Sequence, residues 1–236
     1  MTRQRASDAM ASLYPFLYAD RVDLDAVLTE VRRSTVDKIR EITALRQRVL
    51  ERDGERLAAC ALAMAQAFAA GGRLFAFGNG GSSTDAQDLA SLFLNPGRGA
   101  DPLPAFGLTG DVAVLTALSN DIGFDVVYAR QLAAFGRRND IAVGLSTSGN
   151  SENLLRAFDE ASRRGLLTVG IAGDDGGRMA ESEAIEHLFV VPSSSVHRIQ
   201  EAQTTIYHVL WELSVRALRD TAEMSAGNDA EALSEG

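Results

Sequence analysis

Leu74-Phe75-Ala76-Phe77-Gly78-Asn79-Gly80-Gly81-Ser82-Ser83-Thr84-Asp85 is the stretch on which the fold turns. Four apolar residues without polar alternation run into a glycine-rich turn, and hydroxyl residues open a helical stretch behind it. A short apolar run of this kind is a strand buried on both faces, as in a parallel sheet. The unit recurs at Ala105 to Leu108, Ile141 to Leu145, Leu167 to Ile171 and Leu188 to Val191. Helical stretches between such strands make right-handed βαβ crossovers. The fold class is therefore α/β: a doubly wound, parallel, five-stranded sheet flanked by helices.

Outward from this core the pattern becomes helical. Leu24, Val27, Leu28, Val31, Val36, Ile39, Ile42 and Leu45 recur at three- and four-residue spacing, which predicts a long amphipathic N-terminal helix. A second helix is expected from about Glu55 to Ala70, ended by Gly71-Gly72. A last helix is expected from Val196 to Leu218. Residues 1–20 read as a lead-in with apolar Tyr14, Phe16, Leu17 and Tyr18, residues 21–219 as one domain, and residues 220–236 as a disordered acidic tail.

The chain has 236 residues, 46% of them hydrophobic, a net charge of −9 and a pI near 4.9. An acidic surface argues against direct nucleic-acid binding, which needs clustered Lys and Arg. It leaves room for a single phosphate held by backbone N–H groups and hydroxyls. The one cysteine, Cys60, rules out an intrachain disulfide and reads as a small core residue. No segment approaches the roughly 20 apolar residues of a membrane helix, so the cytoplasm is the expected location.

Ligands of a doubly wound sheet sit beyond the C-terminal ends of its strands. Two loops there carry the chemistry. Gly78 to Asp85 brings glycines that let the backbone approach a ligand, with Ser82 and Ser83 at the start of a helix whose N–H groups and dipole favour an anion. An ordinary N-cap by Ser82 or Ser83 is the plainer alternative. Ser83 stands where a dinucleotide fingerprint needs glycine, and no Gly-Lys-Ser/Thr follows, so neither NAD nor a P-loop fits. The second loop, Ser146-Thr147-Ser148-Gly149-Asn150-Ser151, places four hydroxyls and a glycine at the mouth of a helix starting near Glu152. That set suits a phosphate monoester.

Strand-GNGGS-helix, strand-STSGNS-helix, Gly173-Asp174-Asp175-Gly176-Gly177 and Arg198-Ile199-Gln200-Glu201, in this order, resemble the phosphoheptose isomerase family of sugar isomerase (SIS) domain proteins. The resemblance spans about Glu55 to Leu218. It implies an aldose–ketose isomerase of carbohydrate metabolism acting on a sugar phosphate such as sedoheptulose 7-phosphate. It also implies a homotetramer, or a dimer, with sites formed between subunits. Asn79, Gly80, Ser82, Asp121, Ser146, Thr147, Ser148, Ser151 and Gln200 become the implied substrate and phosphate contacts. No cofactor is required, and zinc is an optional metal for Asp88, Gln200 and His208.

The chain departs from the family pattern where the chemistry lies. Isomerisation through an enediol needs a base at carbon and an acid or metal at the oxygens. The family's glutamate base falls on Leu92, and a histidine one turn earlier falls on Asp88; Gln200 and His208 match the family's glutamine and acid histidine. Asp88 lies on the same helix face as Leu92 and is the candidate displaced base, with Glu201 as another carboxylate and His208 as acid partner. His187 reads as structural, and His197 has no assigned role. The competing expectation is a non-catalytic sugar-phosphate sensor or a scaffold like a replication-initiator partner, motivated by Leu92 and the N-terminal segment.

Overall fold

The computed structural model describes residues 24–97 and 99–234, with side chains through Thr221. The sequence expectation for residues 1–20 lies outside them. Helix α1 is Leu24–Ala69, followed by β1 Leu74–Gly78, α2 Gly81–Leu94, β2 Ala105–Gly107 and α3 Val112–Asp121. A short 3-10 turn, Phe124–Val126, leads into α4 Val127–Phe135 and β3 Ile141–Ser146. Then come α5 Glu152–Arg164, β4 Leu167–Gly173, a 3-10 turn Gly177–Glu181, β5 His187–Val191 and α6 Val196–Ser234.

The five strands form one sheet in the order β2-β1-β3-β4-β5, and every pairing is parallel. β1, β3 and nearly all of β4 are buried on both faces, as their unbroken apolar runs predict. One layer of the core is built on Phe77, whose ring meets Tyr128 and Phe158 at centroid distances of 5.4 and 5.3 Å. Edge strand β5 exposes backbone carbonyls that α1 covers. Arg52 donates to Val190 O and Arg56 to Leu188 O, and the fully buried Asp53 pairs with both guanidiniums. A sheet edge blunted by arginines no longer templates a further strand.

Two helix boundaries differ from the sequence expectation. The helix expected to restart near Glu55 is continuous with the first, because Gly54 sits among strong helix formers and one interior glycine costs only about 1 kcal/mol. It stops where expected: Gly71 takes φ 80°, and the Gly72 N–H closes back on Ala67 O at 2.9 Å. Helix α6 runs on to Ser234 through residues expected to be disordered, since Ala, Glu, Met and Leu there favour helix. Among the described residues, those up to Thr43 form one compact unit and those from Ala44 onward another. Leu24, Val27, Leu28, Val31, Val36 and Ile39 in the first unit are all exposed. Among the described residues, no helix is long and apolar enough to cross a membrane.

Candidate functional site

The chain leaves β1 toward β2 on one side and later enters β3 on the other, so the sheet has its switch point between β1 and β3. The loops after these two strands diverge and open a crevice, where doubly wound sheets bind ligands. Gly78 and Leu145 are register partners, so both loops leave the sheet at the same level. They are the glycine-rich and serine-rich loops.

In the first loop Gly80, not a serine, is the N-cap of α2, with φ 56° and ψ −123°. Ser83 Oγ donates to Gly80 O at 2.6 Å, and Ser82 is buried. Asn79 is held by a reciprocal amide pair with Asn153 on α5, both bonds 2.9 Å. Tyr128 closes the set, its hydroxyl donating to Gly78 O at 2.6 Å and lying 3.1 Å from Asn79 Oδ1. Asn153 thus ties the first loop to the helix that follows the second, and Tyr128 anchors the first loop to α4. Neither was legible as a site residue, although Asn153 is a buried amide on a helix face otherwise formed by Leu154 and Ala157.

In the second loop Ser146 Oγ accepts the Gly149 N–H at 3.0 Å, and Ser148 Oγ accepts the Asn150 N–H at 3.3 Å. Ser151 is the N-cap of α5 but makes no side-chain cap bond, so its hydroxyl remains for a ligand. The first N–H of the helix to meet a carbonyl is that of Leu154, on Ser151 O. The unpaired N–H groups ahead of it and the helix dipole make an anion cradle. The Gly173–Gly177 turn packs directly beneath. Gly149 has φ 66°, and a Cβ there would lie 1.9 Å from Gly176 O. Gln203, fully buried on α6, donates to Ser146 O and Ile171 O at 3.0 Å each, fixing the ends of β3 and β4.

Helix α6 also packs on α2. Gln200 lies over the glycine loop so closely that a Cβ on Gly81 would come within 2.3 Å of its Nε2. That nitrogen donates to Asp85 Oδ2 at 3.3 Å. One helical turn along α2, Asp88 Oδ2 accepts the Tyr207 hydroxyl at 2.7 Å. The Tyr207 ring stacks on His208 at 5.0 Å. His208 Nδ1 is 2.8 Å from Thr204 O, which can only accept. Nδ1 therefore carries a proton, and in the tautomer this contact selects the lone pair lies on Nε2. Burial raises the Asp85 carboxyl pKa; the Gln200 hydrogen bond opposes this and the Asp88 charge adds to it.

Residues 39–173 match the SIS domain family. A phosphoheptose isomerase of Roseiflexus sp. is 38% identical over 187 residues, covering 79% of this chain and 94% of the relative. One from Desulfovibrio desulfuricans is 44% identical over 177 residues, covering 74% and 83%. The solved phosphoheptose isomerase of Neisseria gonorrhoeae superposes with a TM-score of 0.69 at 34% identity, covering 77% of this chain and 97% of that one. The chain belongs to the phosphoheptose isomerase family of SIS domain proteins.

Within this family member, the structure gathers Asn79, Gly80, Ser82, Ser146, Thr147, Ser148 and Ser151 on the two loops at the crevice. Gln200, Asp88 and His208 lie on the helices beside it. Asp121, at the end of α3, accepts from its neighbour Asn120 at 2.8 Å, and no hydrogen bond among the described residues joins it to either loop. Glu201 is engaged by Arg198 on its own helix. His187 is half-buried on β5, where desolvation lowers its pKa. The zinc donor set fits poorly. Zinc takes about four N, O or S ligands. Asp88 already accepts from Tyr207, Leu92 adds no donor, and among the described residues no three His, Cys, Asp or Glu side chains converge.

Proposed function

We propose that this chain isomerises a phosphorylated heptose, interconverting sedoheptulose 7-phosphate and the corresponding aldoheptose 7-phosphate. The observation that carries this reading is the serine-rich loop at the switch point. Its hydroxyls and the free N–H groups of α5 form a neutral anion cradle, in a chain whose relatives above are named phosphoheptose isomerases. Neutral donors hold a phosphate without the charge of a lysine, which suits a metabolite that must leave again.

With the phosphate in the cradle, the sugar's carbonyl end lies toward α2 and α6. Asp88 removes a proton from C1 of the ketose, giving the enediol, and returns it to C2 of the aldose. His208, through the Nε2 lone pair, takes the O1 hydroxyl proton and passes it to O2. Atoms and charge balance over the cycle, and both groups end as they began. We further assign the working form to a homotetramer, supported by the exposed apolar residues of each compact unit.

The test is incubation with sedoheptulose 7-phosphate in heavy water, following the sugar C–H signals by NMR. Deuterium entering C1, with aldoheptose appearing, is the expected result. Binding shifts without exchange would instead make the protein a sugar-phosphate sensor.

A further inference from the structure

We propose that Tyr207 is the positioning residue of the reaction, its hydroxyl aiming the Asp88 carboxylate at the substrate while its ring sets the plane of His208. The inference rests on the isomerase reading and deepens it. In the sequence, Tyr207 sits unmarked within an apolar stretch of the last helix. In the structure it touches both groups assigned to proton transfer.

Three observations carry the argument. Tyr207 is 1% exposed, and a phenol so buried needs a hydrogen-bond partner. Its partner is Asp88 Oδ2 at 2.7 Å, a short charge-assisted bond from a rigid ring to an otherwise exposed carboxylate. A surface aspartate has freely rotating torsions; one pinned by a buried hydroxyl presents its second oxygen in a fixed direction. The ring then stacks on His208, with planes 28° apart, so one side chain orients both. Burial pushes the Tyr207 phenol well above its ordinary range; the Thr204 hydrogen bond opposes this, and the Asp88 hydrogen bond and the Asp88 and Asp85 charges add to it. The hydroxyl therefore keeps its proton and remains a donor throughout the neutral range.

Leu92, one turn farther along α2, supplies no base, and an aspartate at 88, with a side chain shorter than a glutamate's, gains from having its direction imposed. The two hydrogen bonds between α2 and α6, Gln200 to Asp85 and Tyr207 to Asp88, lock the register in which this is achieved.

The test is a double-mutant cycle of Tyr207→Phe and Asp88→Asn, read by kcat and KM for sedoheptulose 7-phosphate and by inorganic phosphate binding. Phenylalanine keeps the ring and its stacking, and a thermal melt verifies folding. Y207F is expected to lower kcat about tenfold with KM and phosphate affinity unchanged. In the D88N background, whose residual activity is followed by slow deuterium incorporation, it should cause no further loss. A kcat within twofold of the parent, or losses that multiply in the double variant, would overturn the proposal. A second readout is independent of turnover: the tyrosine Fermi doublet in the ultraviolet Raman difference between D88N and the parent. A doublet change with no exchange in the parent protein would sink the isomerase reading alone. An unchanged doublet would remove the Tyr207–Asp88 pair itself.

Discussion

Asp85 is half-buried beside Gln200, and desolvation raises its carboxyl pKa above the ordinary aspartate value, with Asp88 adding repulsion. The folded state then binds more protons than the unfolded state between the unfolded value and the raised folded one. This contribution to stability is fully present below the unfolded pKa and is lost as pH rises through the folded pKa. Asp85→Asn carries no charge to desolvate. Its melting temperature should exceed that of the parent at neutral pH, and the advantage should disappear on acidification toward pH ~3.5, below the ordinary aspartate value. Equal melting temperatures at neutral pH would show that the site does not strain this carboxylate. At this scale the sequence was a partial guide. The hydroxyls and glycines of the two loops were readable because their residue types are unusual at those spacings. Asp85, Asn153, Tyr128, Tyr207 and Gln203 were not, because each owes its place to a partner on a different element, from 49 to 119 positions away for the hydrogen bonds of Tyr128, Asn153, Asp85 and Tyr207. Cys60 was legible as core, and burial pushes its thiol up to about 12.

Elements were the most legible level. All five strands fall within a residue or two of the apolar runs that announce them, and for β1, β3 and β4 the reason is that a strand buried on both faces leaves no polar interruption to misread. Helix ends were legible only where backbone geometry forces them. The Gly71-Gly72 stop was visible; the continuity through Gly54 was not, since propensity places no strong break there. The serine-rich loop shows how elements combine into a site. The β3–α5 and β4–3-10 connections meet where Gly149 passes under the Gly176 carbonyl, a contact no residue with a side chain permits. Gly149→Ala forces that clash and a positive φ together. The variant should lose phosphate binding by at least tenfold, as the β3–α5 turn opens to relieve the clash. Titration with inorganic phosphate, beside a circular dichroism spectrum for the fold, measures this. Binding within twofold of the parent would mean that the cradle tolerates a different turn.

At the scale of the whole molecule, each compact unit carries large apolar side chains that are exposed among the described residues. In the unit from Ala44 onward, Leu50, Leu62, Val112, Ile122 and Phe124 are each more than half exposed. In the unit up to Thr43, α1 carries Leu24, Val27, Leu28, Val31 and Ile39 in the open. Scattered apolar residues need no explanation, but a helical stripe at three- and four-residue spacing left exposed among the described residues does. The periodicity made the helix legible in the sequence, but it records that a face is apolar and not what covers it. The net charge of −9 disfavours non-specific association of these surfaces, so a specific, self-complementary contact is the consistent outcome. Light scattering on the parent protein should report a tetramer. Val27→Glu with Val31→Glu places two charges on the α1 stripe, one turn apart, and should shift the species toward dimer or monomer while the core unit stays folded. If catalysis draws on residues from more than one copy, as Asp121, bonded to its neighbour Asn120 rather than to either loop, suggests, turnover should fall with assembly and phosphate binding should persist. A variant that remains tetrameric would show that the stripe lies outside the contact, and an active monomer would show that one chain holds the whole site.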